Sequence, residues 1–287
     1  MRIAILANSR KPDALKAGRE LLAEFKPRAV DAVLLDAWEE EGLRGAAGAD
    51  LVVVLGGDGS ILHAAHAVAE MGAPVVGINF GKLGYLAAFS LAEFREHLDA
   101  VLGGAAPISE RLMLEGCVHE GAESLVDVLA KPPRFRHLAL NDVVVNAGEP
   151  FRMIELHLRI DGQDTTTFRG DGVIVSTASG STGYNLSAGG PLISPEVAAM
   201  VLTPICPHSL SFRPVVISER STVLVQAHRV NPGTQVSFDG QIVHHLAERS
   251  VVVIRRAARR LKLVENPALT HWRMLGSKLQ WAQSPRV

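Results

Sequence analysis

Residues 51–60 read LVVVLGGDGS, a run of strand-forming apolar residues that stops in three glycines set around one aspartate. A continuous apolar run suits a strand covered on both faces, and the glycines suit a tight turn with bare, approachable backbone. Ile61, Leu62, Ala65, Val68 and Ala69 then recur at helical spacing. Strand, bare loop and helix in this order begin an α/β repeat. The alternation continues on either side. IAILAN (3–8), AVDAVLLD (29–36) and APVVGINF (73–80) read as further strands. Leu15, Leu22 and Phe25, and later Leu91, Phe94, Leu98 and Val101, read as helices. The first hundred residues therefore predict a parallel sheet with helices on both faces.

After about residue 107 the period changes. MIELHLRID (153–161) sets Ile154, Leu156, Leu158 and Ile160 on one face and Glu155, His157 and Arg159 on the other. STVLVQAH (221–228), TQVSFDGQIV (234–243), RSVVVIRRA (249–257) and RLKLVEN (260–266) are more short strands, separated by turn residues and not by helices. Closely spaced strands of this kind predict an antiparallel sheet structure. The expected plan is α/β plus β: a Rossmann-like parallel α/β domain over residues 1–105 and a β-rich antiparallel domain over 106–265. The tail 266–287, with Leu275, Leu279 and Trp281, is expected to return to the first domain.

Bulk properties narrow the class of function. The chain has 287 residues, 47% hydrophobic and 21% charged, with a formal net charge of −1. That balance supports a sizeable core and carries no electrostatic footprint for nucleic acid or an anionic membrane. Cys117 and Cys206 stand far apart. They argue against a disulfide scaffold or a cysteine metal site and fit a reducing compartment. With neither a signal peptide pattern nor a membrane-length apolar run, a cytoplasmic protein is expected.

The chemistry is concentrated in two Gly-rich regions. A helix starting near Ser60 would offer free amides to a phosphate, with Ser60 as its cap. Asp58 would then stand where a carboxylate serves as base for an attacking hydroxyl. The alternative is a strand-to-helix turn in which Asp58 only satisfies neighbouring amides. A Walker A string is absent, and LANSRK (6–11), after the first strand, has no glycine for a dinucleotide fingerprint. The second region, RGDGVIVSTASGSTGYNLSAGGPL (169–192), flanks an apolar strand with small-residue loops. Ser176, Thr177, Ser179, Ser181 and Thr182 supply hydroxyls, Tyr184 a flat face for a base, and Asn185 both donor and acceptor. LALNDVVVN (138–146) sets Asn141 and Asp142 before a strand, and SFDGQIV (237–243) sets Gln241 beyond a tight turn.

In order, GGDGS, INFGKLGYLAAF, LALNDVVV, DGVIVSTASGSTGYNLSAGGPLI, ICPHSLSFRPVVI and FDGQ resemble the NAD kinase family, bacterial type, over about residues 50–245. The resemblance implies an enzyme that moves the γ-phosphoryl group of ATP to the 2′-hydroxyl of the adenosine ribose of NAD. Asp58 takes the role of proton acceptor, with Gly59 against the NAD and His63 as a polar contact. Asn141 and Asp142 match the pair that holds adenine and ribose. Thr182, Gly183, Tyr184, Asn185, Leu186 and Ser187 match the adenine-binding loop. Asp171 matches the acid at the nicotinamide half, Gln241 the turn glutamine, and Arg152 and Arg169 basic positions shared across a subunit contact. His208 reads as a loop-positioning residue. The implied partners are NAD and ATP with Mg²⁺, inorganic polyphosphate as an alternative donor, and a homodimer or homotetramer, with no metal ligands from the protein itself. Rival readings are another GGDG kinase, for lipid or sugar phosphate, and a non-catalytic NAD(P) sensor. Ala178 stands where the family commonly has proline and Gly183 adds freedom, so this loop is expected to be less pre-organised.

Overall fold

The structure, a computed structural model, describes residues 1–28, 30–81, 84–120, 128, 131–209 and 211–279. The chain divides into two compact units: Met1–Glu110 together with the chain from Leu261 onward, and Arg111–Arg260.

The first unit begins with strands β1 (Arg2–Ala7), β2 (Asp31–Asp36), β3 (Leu51–Gly56), β4 (Val75–Asn79) and β5 (Ile108–Arg111). Among them run helices α1 (Pro12–Phe25), α2 (Glu40–Gly45), α3 (Asp58–Met71), α4 (Leu91–Glu96) and α5 (Leu98–Leu102). The second unit holds β6 (Leu114–His119), β7 (Phe135–Ala139), β8 (Asp142–Asn146), β9 (Ile154–Ile160), β10 (Gln163–Gly170) and β11 (Gly172–Thr177). It continues with β12 (Ala199–Ile205), β13 (Val215–Ser218), β14 (Val223–Arg229), β15 (Gln235–Phe238), β16 (Ile242–His245) and β17 (Val251–Arg256). The last strand, β18 (Leu261–Val264), belongs to the first sheet, whose order is β2-β1-β3-β4-β18-β5.

In that sheet β1 pairs in parallel with β2 and β3, and β4 pairs in parallel with β3 and β18. Every residue of β3 is buried, which is why its sequence runs apolar without alternation. The helix α1 starts on Pro12, whose fixed φ and missing N–H suit a first helical turn. Its buried face is Ala14, Ala17, Gly18, Leu21 and Phe25, while Leu15 and Leu22 are only partly covered. Close packing explains the small residues: a Cβ on Gly18 would lie 2.6 Å from Leu34 Cδ1. The stripe from Leu91 to Val101 forms two helices, broken at His97, and Ser90 with Glu93 makes a capping box at the first.

RLKLVEN corrects the sequence reading. It has a strand's composition, but Leu263 pairs in parallel with Val75 of β4, so it completes the α/β sheet and not an antiparallel one. Past it, a helix at His271–Leu279 belongs to this unit and buries Met274 and Leu275. Trp281 lies outside the described residues.

The second unit is a sandwich of two six-stranded sheets, β10-β9-β14-β17-β6-β7 and β13-β12-β11-β8-β15-β16. Its assigned pairs are antiparallel. Val143 and Val145 of one sheet and Leu156, Leu158, Val225 and Val252 of the other share one core, joined by Phe238. Each such side chain contributes about 1.5–3 kcal/mol on burial. Alternation along β8 then turns Asp142, Val144 and Asn146 to the opposite face.

Candidate functional site

In the first unit the GGDG loop closes on a neighbouring loop. Gly57, at φ +147°, takes a backbone that side chains rarely adopt, and this lets α3 begin at Asp58. The helix therefore starts earlier than expected. Ser60 does not cap it: the N-cap is Gly57, without a side-chain bond, and Ser60 is buried in the first turn with Asn8 Nδ2 3.5 Å from its Oγ. The Asp58 carboxylate faces the loop after Gly84. Tyr85 N donates to Oδ2 at 2.8 Å, and Leu86 N and Ala87 N donate to Oδ1 at 3.0 and 2.9 Å. Gly84 makes the approach possible, since a Cβ there would lie 1.8 Å from Asp58 Oδ1. A carboxylate has about four lone-pair sites, so Asp58 keeps one on Oδ2 for a further donor.

Gly59 is exposed, and a Cβ on it would meet nothing within 4 Å, which leaves open ground at the helix start. His63 stacks on Trp38 at 4.2 Å between ring centroids, and the Arg10 guanidinium lies 4.7 Å from the centre of the same Trp38 ring. Lys11 Nζ donates to Gly56 O at 3.2 Å. Cationic and aromatic side chains from the ends of β1 and β2 thus gather near the glycine loop, a grouping the sequence reading did not single out.

In the second unit a pocket of about 400 Å³ is lined by Asn141, Asp142, Asn146, Tyr184, Ser237 and Asp239, among others. Asn146 contributes an Oδ1 that is out of solvent and has no hydrogen-bond partner. Asp142 is 6% exposed, and burial together with the nearby Asp239 charge pushes its carboxyl up to about 7. Asp239 was not among the residues picked out from sequence. It sits in the Phe238–Gln241 turn with Asp239 and Gly240 at φ +52° and +65°, as a type I′ hairpin requires. Desolvation pushes the Asp239 carboxyl up, and amide hydrogen bonds from Leu140, Asn141 and Asp142 pull it down.

The loop after β11 supplies the pocket's aromatic. Tyr184 is 47% exposed and lines it. Asn185, by contrast, is fully buried and uses its amide inside the loop. Its Nδ2 donates to Ser181 O and Pro191 O, and its Oδ1 accepts from Thr203 Oγ1 at 2.7 Å. Thr182 Oγ1 donates to Ser179 O at 3.3 Å; Gly183 and Ser187 are exposed and Leu186 is half-buried. Ala178 keeps φ at −57°, the value proline would impose, whereas Gly183, at φ −97° and ψ −128°, lies outside the helical and extended regions that residues with side chains favour. Gln241 N closes the turn on Phe238 O at 2.9 Å. Arg169 is exposed and ion-paired with Glu155 at 2.7 Å, and Arg152 is exposed, its carbonyl accepting from Asn231 Nδ2. Asp171 is half-buried, with its amide on Ile205 O, and exposed His208 is tied by its amide to Arg169 O. Among the described residues no group of three or more His, Cys, Asp or Glu is arranged to hold a metal ion.

Both units match family models in chain order: the ATP-NAD kinase N-terminal domain over residues 8–106 and the ATP-NAD kinase C-terminal domain over residues 140–266. The chain is 39% identical to the NAD kinase of Geotalea daltonii over 82% of its own length and 80% of that protein's. It is 36% identical to the NAD kinase of Citrifermentans bemidjiense over 98% and 99%. Among solved structures, an NAD kinase from Archaeoglobus fulgidus in complex with ATP superposes with a TM-score of 0.77 at 26% identity, covering 98% of this chain and 99% of that one. Yeast NADH kinase complexed with NADH has the same fold, with a TM-score of 0.84 at 24% identity, over 100% and 89%. The chain belongs to the NAD kinase family.

Proposed function

We propose that this protein phosphorylates NAD with ATP, giving NADP. The observation that carries the reading is that both family domain models match in order, one containing Asp58 and the other Asn141, Asp142 and Tyr184. In the transfer the 2′-hydroxyl of the adenosine ribose attacks the γ-phosphorus, the bond to the ADP oxygen breaks, and Asp58 accepts the hydroxyl proton through the lone pair left on Oδ2. Asn141, Asp142 and Tyr184 hold the nucleoside, and the exposed Arg152 and Arg169 are suited to phosphate oxygens. The Asn141-to-Tyr184 pocket supports that role through its mixture of an amide, buried acids and a flat ring. Mg²⁺ carried on the phosphates of ATP would supply charge neutralisation there.

Assembly as a homodimer or homotetramer is supported by exposed Phe151, Met153, Val215, Val216 and Val243 in the second unit. A cytoplasmic location fits two cysteines that are both free, and no described helix is long and apolar enough to cross a membrane. The test is incubation with NAD and either ATP or polyphosphate, followed by assay for NADP. Phosphorylation of a lipid or sugar phosphate without NADP overturns the reading in favour of another GGDG kinase. Tight NAD binding without turnover overturns it in favour of a sensor.

A further inference from the structure

Asp239 lies far along the chain from the corner that opens β8, yet its side chain and backbone hold that corner. Its Oδ2 accepts the amide of Leu140 at 2.8 Å, and its Oδ1 accepts the amides of Asn141 at 2.7 Å and Asp142 at 3.1 Å. The carbonyls of the same three residues are also partnered. Leu140 O accepts from Thr177 Oγ1 at 2.7 Å, Asn141 O from Thr177 N at 2.8 Å, and Asp142 O from Asp239 N at 3.0 Å. Every backbone donor and acceptor of Leu140, Asn141 and Asp142 thus has a partner, and Asp239 meets most of them. The fit is close: a Cβ on Gly180 would lie 2.2 Å from Asn141 O.

A corner can be satisfied by water or by a neutral side chain. Here the acceptor is a second acid, set beside buried Asp142 in the wall of the same pocket. Two acids so close cannot both ionise cheaply, which disfavours the arrangement for stability alone. We infer that Asp239 is a positioning residue for substrate recognition: it fixes Asn141 and Asp142 at the pocket wall and leaves Asp142 to meet the substrate as a protonated, donating acid. The inference rests on the reading of this pocket as the nucleotide site.

The hydrogen bonds decide which acid carries the proton. Burial pushes both carboxyls up, Asp239 to about 6 and Asp142 to about 7. Three amides hold Asp239 the lower of the two, and its charge adds to the effect of burial on Asp142. Tyr184 is the other titratable group at this wall. Burial pushes its hydroxyl up, followed by Cys206, Asp142 and Asp171, so it stays neutral and adds no charge to the pair. A neutral carboxylic acid offers a donor beside an acceptor. That is the complement of an aminopurine edge, where an exocyclic N–H donates and a ring nitrogen accepts.

The experiment compares the wild type, Asp142→Asn and Asp239→Asn from mildly acidic to mildly alkaline pH, reading kcat and the KM for NAD and ATP separately. In the wild type the KM for NAD should rise as pH passes the point where Asp142 loses its proton. Asp142→Asn keeps a donor and an acceptor but cannot lose a proton in this range, so its KM for NAD should no longer depend on pH. Asp239→Asn should raise the KM for NAD about tenfold, the worth of one charge-assisted hydrogen bond, with the KM for ATP little changed. It should also move the inflection to lower pH, because the charge beside Asp142 is gone. A merely structural Asp239 would lower stability without moving the inflection, and that result overturns the inference. So does an unchanged KM for NAD in folded Asp239→Asn. If Asp239→Asn does not fold by thermal melt, Asp142→Asn decides: an inflection that persists overturns the inference, and its loss supports it. A wild type that forms no NADP fails the kinase reading alone, and the same profiles are then taken as NAD dissociation constants by calorimetry.

Discussion

Asp58 and Asp239 each stand just past the end of a strand and before a glycine, and each carboxylate gathers three consecutive backbone amides. Their surroundings separate them. Asp58 opens a 14-residue helix, and both of its oxygens accept backbone amide hydrogens. Asp239 has a second acid for a neighbour, so the pair retains a proton and Asp142 becomes a donor. One backbone device therefore holds an acceptor in both places, and at Asp239 it also leaves the neighbouring Asp142 as a donor.

The largest expected effect breaks the comparison at its first member. Asp58→Asn should cut turnover by roughly 10²–10⁴-fold, as loss of a general base does, measured as NADP formed per folded enzyme. The new NH₂ group must also face an amide donor of Tyr85, Leu86 or Ala87, so the melting temperature should fall. Near-full turnover would make Asp58 a loop acceptor only, like Asp239. Next comes Gly84→Ala, which puts a methyl group into the Asp58 carboxylate. Strain from such overpacking is about 1–3 kcal/mol and should appear as a lower denaturation midpoint together with reduced activity.

The second member is probed through pH. Asp142 has its folded pKa raised, from an ordinary 3.8 to about 7, so the folded state holds the proton more tightly than the unfolded chain. The stability this contributes is complete below about pH 4 and is lost as pH rises through about 7. Asp142→Asn should therefore flatten that decline and exceed the wild type at alkaline pH by about 1–2 kcal/mol, read from chemical denaturation across pH. The smallest effect concerns the residue after Thr177, which holds the other side of the corner. Ala178 already has proline's φ and follows a strand residue, so Ala178→Pro should stabilise by about 0.4–1 kcal/mol, seen as a small rise in melting temperature.

Local pattern made much of this legible. The apolar run of β3, the glycine loop and the α3 stripe announced an α/β sheet because each signal lies within a few neighbouring residues. The alternation of Ile154, Leu156 and Leu158 likewise declared a half-covered strand. What escaped depends on partners distant in sequence. RLKLVEN has a strand's composition, but nothing in it names β4 as its neighbour. Ser60 has a capping residue's chemistry, yet a glycine at φ +147° moved the helix start ahead of it. Asn185 reads equally well as a ligand group or as a link to Thr203. Asp239 binds the Asp142 amide across 97 positions, a reach no periodicity encodes.

The place of β18 between β4 and β5 bears on how the chain comes off the ribosome. Residues of the second unit are made after β5 and before β18, which at about 5–20 residues per second takes roughly eight to thirty seconds. Throughout that interval the earlier strands β4 and β5 have been synthesised but lack the strand that joins them. Until β18 is made, the strand edges beside that gap present unpaired backbone groups. A stop codon after Gln241 and before Leu261 would leave the gap permanent while sparing every residue assigned a role in catalysis.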